Sequence, residues 1–92
     1  MLPVHIKIVD DPANTHVYKG AGHWAAARAE RVLNILENAL PPMHFDYIQD
    51  DSHSYIRASA QIENGRALEF AELLARALVA TGTQLAQEEV SP

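Results

Sequence analysis

Hydrophobic and polar positions alternate with a period of two from Val4 to Val9, predicting a strand with Val4, Ile6 and Ile8 on one face. Asp10-Asp11-Pro12-Ala13-Asn14 follows with turn chemistry: short carboxylates that bond nearby amides, and a proline that presets φ. Residues 15–19 are expected to return as a second strand, closed by Gly20-Ala21-Gly22. From His23 to Leu40 the period becomes helical. Ala25, Ala29, Val32, Leu33, Leu36 and Leu40 form one apolar stripe, with Glu30, Asn34 and Glu37 opposite. Pro41-Pro42 ends that helix, because a residue before proline is pushed out of the α region.

Alternation resumes at Met43, with Met43, Phe45 and Tyr47 on one side, and Asp50-Asp51-Ser52-His53 forms a second acidic turn. Ser54 to Glu63 is the cleanest strand. Ile56, Ala58, Ala60 and Ile62 face one way; Tyr55, Arg57, Ser59 and Gln61 face the other. Asn64 or Gly65 is expected to cap a second helix over about Arg66 to Ala80, which stops near Gly82. Residues 8–40 and 48–78 share one rhythm of strand, acidic turn, short element and helix. The predicted architecture is α+β: a four-stranded, mainly antiparallel sheet with two helices on one face, in ββαββα order. If residues 15–19 are loop, the order is βαββα. Residues 1–83 form a single domain in this reading, and 84–92 a flexible acidic tail.

The second helix carries more apolar surface than one sheet can cover. Phe70, Leu74, Ala77, Leu78 and Ala71 fill a central arc, Leu73 flanks it on one side, and Leu68 and Val79 flank it on the other. Either the two helices bury these flanks against each other, or Leu68, Leu73 and Val79 form a homodimer interface. Trp24 lies off the main stripe of the first helix, beside Ile35 and Arg28. It is either a residue at the core boundary or a binding anchor.

Charge narrows the partners. Lys plus Arg is 7 against 12 Asp plus Glu, a net −5 with neutral histidines, so charge-driven binding to nucleic acid is disfavoured. A basic protein partner is compatible with that balance. The sheet face bearing His5, Lys7, Tyr55, Arg57, Ser59 and Gln61 lacks the glycine and spaced-aromatic pattern of RNA-binding sheets. With no cysteine, thiolate zinc sites and cysteine nucleophiles drop out. The N-terminus has no secretory pattern, and no apolar run approaches the roughly 18–20 residues of a membrane span. A cytoplasmic location is expected.

The candidate chemistry is thin. His5, His16, His23, His44 and His53 make no HxH, HxxxH or HExxH array. His44 and Asp46 can share a strand face, with His5 as a third group, but no metal or cofactor is expected. Ser52-His53-Ser54 lacks the third, orienting member of a nucleophilic triad. Asp10-Asp11 and Asp50-Asp51 have no EF-hand spacing. Turn formation accounts for both pairs; alternatively they form one negative patch at one end of the sheet.

The sequence therefore points to a non-catalytic, homodimeric protein-binding domain that regulates or inhibits a larger partner. Its expected contacts are Asp10, Asp11, Asp50, Asp51, Trp24 and Tyr55. A sharper form is an acidic inhibitor that occupies the basic nucleic-acid-binding surface of a larger complex, as phage-encoded antagonists of bacterial defence do. Two alternatives remain: a small histidine-using enzyme or metal-dependent ligand binder built on His5, His44 and Asp46, and a structural subunit that completes a larger assembly through its sheet edges or helices.

Overall fold

The computed structural model describes residues 1–13, 25–52 and 54–86. Strand β1 spans Leu2–Asp10, helix α1 Ala25–Ala39, β2 Asp46–Gln49, β3 Tyr55–Ile62, helix α2 Ala67–Thr81 and β4 Thr83–Leu85. A short 3-10 turn over Asn64–Arg66 leads into α2. All strand pairs are antiparallel, in the order β2-β3-β1-β4. The fold is α+β, a four-stranded antiparallel sheet with two helices, as the periodicity predicts. Each half of the chain runs strand, helix, strand, and each half straddles a strand of the other, giving a split βαβ topology.

The register explains the core. Ile8 opposes Ile56, Ile6 opposes Ala58 and Val4 opposes Ala60, so these six apolar positions of the two central strands fall on the helix-facing side. Ile8 and Ile56 are fully buried there with Ala29, Val32, Leu33 and Leu36 of α1, while Phe70, Leu74 and Ala77 of α2 close the layer. Before β2 the chain sends Met43 and Phe45 into the same core. Helix α1 stops where expected, with Leu40 donating back to Leu36 ahead of Pro41-Pro42.

The strand expected over residues 15–19 lies outside the described residues. Two other expectations change. A strand of the described sheet comes from residues 83–85, of which Gln84 and Leu85 were expected in the tail. The cause is Gly82, left-handed at φ 66°, whose N–H caps α2 on the Leu78 and Val79 carbonyls and turns the chain back along β1. Leu85 then pairs with Ile8, and the Ala86 N–H donates to the Lys7 carbonyl. Finally, neither Asn64 nor Gly65 caps α2. Its N-cap is Arg66, whose donor-only side chain makes no cap bond, and the 3-10 turn ties the Arg66 N–H to the Glu63 carbonyl. No described helix is long and apolar enough to cross a membrane.

Candidate functional site

The pairing of Val9 with Tyr55 places the end of β1 beside the start of β3, so both acidic turns sit at the same end of the sheet. Each carboxylate there has a different environment. The Asp10 carboxylate accepts from the guanidinium of Arg28, which is itself buried at 3% exposure and also donates to the Thr81 and Gly82 carbonyls. Asp11 accepts the Ala13 N–H at 3.0 Å and donates its own N–H to the Gly82 carbonyl. Asp50 accepts the backbone N–H groups of Ser52, Ser54 and Tyr55 at 3.2, 2.6 and 2.9 Å, and the Ser52 hydroxyl as well. Partial desolvation alone would raise the pKa of Asp50. The bonds from Ser52, Tyr55 and Ser54 outweigh it and hold the carboxyl well below the usual carboxylate range. Asp51 is exposed at the tip. Three of the four aspartates thus hold local structure.

Tyr55 sits on the open sheet face, half-buried, with the Lys7 ammonium 4.3 Å and the Arg57 guanidinium 5.9 Å from its ring centre. Cations over the ring occupy the position a stacked base would need. Trp24, with His16, His23 and His53, lies outside the described residues.

On the same open face His5 opposes Ser59, Lys7 opposes Arg57, and Asp46 and Ile48 continue the surface on β2. Two shallow concavities, of about 510 and 400 Å³, share His5, Asp46 and Ser59 in their walls. The second also includes His44, so it brings together all three residues of the histidine alternative. His44 lies between two carboxylates, with Nδ1 3.2 Å from Glu37 and Nε2 3.9 Å from Asp46. Among the described residues no group of three or more His, Asp or Glu is arranged to hold a metal ion. At the sheet edge, desolvation, then the Glu30 carboxylate that accepts a hydrogen bond from the phenol, and then Glu37 push the Tyr47 pKa up.

The third surface is the outside of α2. Leu73 packs partly against the core, whereas Leu68 and Val79 stand 74% and 71% exposed. Sequence reasoning missed Arg28. The available signal was its spacing, one turn before Val32 at the margin of the apolar stripe, where an arginine must find acceptors. No protein-family model, curated protein or solved structure matches this chain.

Proposed function

We propose that this protein is a non-catalytic docking domain, homodimeric and cytoplasmic, that regulates or inhibits a larger protein complex. Its anionic end engages a basic surface of the kind that handles nucleic acid, without contacting nucleic acid or membrane itself. The observation that supports the reading is the register that gathers Asp10, Asp11, Asp50 and Asp51 at one end of the sheet. Hydrogen bonds to Asp11 and Asp50 fix those two carboxylates in place, so little side-chain freedom remains to be lost on binding. An antagonist of bacterial defence is one role such a surface suits.

The test must separate charge from folding, since Asp10, Asp11 and Asp50 support the structure, although asparagine at 11 keeps an oxygen to accept the Ala13 N–H. Asp51 is the clean position. We expect the D51N variant, and more strongly D11N/D51N, to retain less of a basic host protein than the parent at low salt. The difference should vanish as salt rises, because exposed charges are screened beyond a Debye length of about 10 Å at 0.1 M. Retention indifferent to both salt and substitution rejects this reading.

A second reading is favoured by the shared concavity of His5, His44 and Asp46: a small polar ligand held by His44, with Glu37 fixing its ring. Saturable binding of zinc or nickel by calorimetry, abolished by His44→Ala, would move the assignment there.

A further inference from the structure

Helix α2 buries Phe70, Leu74 and Ala77 and turns a second apolar stripe outward. Leu68 and Val79 lie about three turns apart, nearly in line on a 3.6-residue helix, ~16 Å along the axis. Between them Ala75 and Glu72 lie about 30° to either side of that line, and Ala71 lies farther round on the Ala75 side, all three exposed. The small Ala75 and Ala71 let a second helix approach closely on that side near the middle of α2.

We propose that the occupant of this stripe is a second copy of the same helix, packed antiparallel across a two-fold axis near the middle of α2. The proposal deepens the docking reading by assigning its homodimer a surface and an orientation. Charge selects the arrangement. Glu72 and Arg76 are both exposed and lie on the same flank of the stripe. Among the described residues neither makes an ion pair within the chain. In an antiparallel pair, equivalent flanks meet. Leu68 then stands level with Val79 of the partner subunit, and Glu72 with Arg76 of the partner subunit, each contact made twice. In a parallel pair this flank would meet the Ala71 side instead, and both ion pairs would be lost. A patch that complements itself under a two-fold rotation is what an isologous dimer requires.

Sedimentation equilibrium of the full chain tests this. The parent is expected at twice the monomer mass of 10.1 kDa at tens of micromolar. V79E and L68K should each give monomers whose circular dichroism matches the parent, since both side chains are outside the core. E72R places two arginines face to face and should weaken dimerisation about tenfold; the swapped double variant E72R/R76E should recover the parent affinity to within about threefold. A monomeric parent, a dimer indifferent to V79E, or a double variant as weak as E72R would each overturn the proposal. Loss of dimerisation leaves the binding assay on D51N unaffected in principle, because Asp51 lies in the β2–β3 turn and not on α2. The two readings therefore fail separately.

Discussion

Arg28 on α1 reaches Asp10 at the end of β1, and the same guanidinium donates to the Thr81 and Gly82 carbonyls where α2 turns into β4. One buried cation thereby joins four elements of the fold. Removing it in Arg28→Ala takes the donors from two carbonyls and empties a packed position. Asp10 is 43% exposed and can be rehydrated, so the cost falls below that of a fully buried pair. We expect a loss of about 2–3 kcal/mol for R28A and about 1 kcal/mol for D10N by urea unfolding. A smaller effect for R28A than for D10N would contradict the anchoring role.

Asp50 gives the fold an acid limb. Its folded-state pKa is depressed, so its stabilising effect is present above the unfolded value of 3.8 and is lost as pH falls through that value toward the lower folded one. Asp50→Asn should lower the midpoint of thermal unfolding at pH 7, because amides that now bond a carboxylate would face a neutral group. From pH 5 downward the variant should lose less stability than the parent. Parallel stability–pH curves for the two proteins would rule this out.

The central sheet was legible because alternation and burial agree. The same residues that alternate from Val4 to Ile8 and from Ile56 to Ile62 pair across β1 and β3. Helix α1 was equally clear, its stripe ended by Pro41-Pro42. Strand β4 was not, because three residues, Thr83, Gln84 and Leu85, are too few to show a period and owe their pairing to the Gly82 turn. The placement of the acidic pairs at one end was readable only as an alternative, since it depends on register. Arg28 was hidden for a related reason: its acceptors come from residues 10, 81 and 82, far away in the chain.

Phe45 precedes β2 rather than lying within it, yet it is only 2% exposed and among the largest fully packed side chains of the core. Its burial fixes how the chain leaves Pro42 and enters the edge strand. Phe45→Ala should cost about 3–5 kcal/mol, the range for deleting a buried aromatic ring. In hydrogen exchange, β2 amides should lose protection before those of β1 and β3. A loss below about 1 kcal/mol would mean that the β2 approach packs more loosely than the burial indicates.

Among the described residues, Gly82 carries a positive φ. With φ 66° and ψ 33° it occupies the left-handed region, and its N–H caps the Leu78 and Val79 carbonyls while its own carbonyl accepts from Asp11 and Arg28. A side chain there costs roughly 1–2 kcal/mol from the backbone alone. Gly82→Ala should show that loss, and Gly82→Asn a smaller one, because asparagine tolerates this region better than other side chains. The damage should be local first. Since Thr83 and Gln84 pair with Asp10 and Val9, the β4 amides should exchange faster in G82A than the central strands do. Equal destabilisation by Ala and Asn would point to crowding around the added Cβ, with backbone strain playing no part.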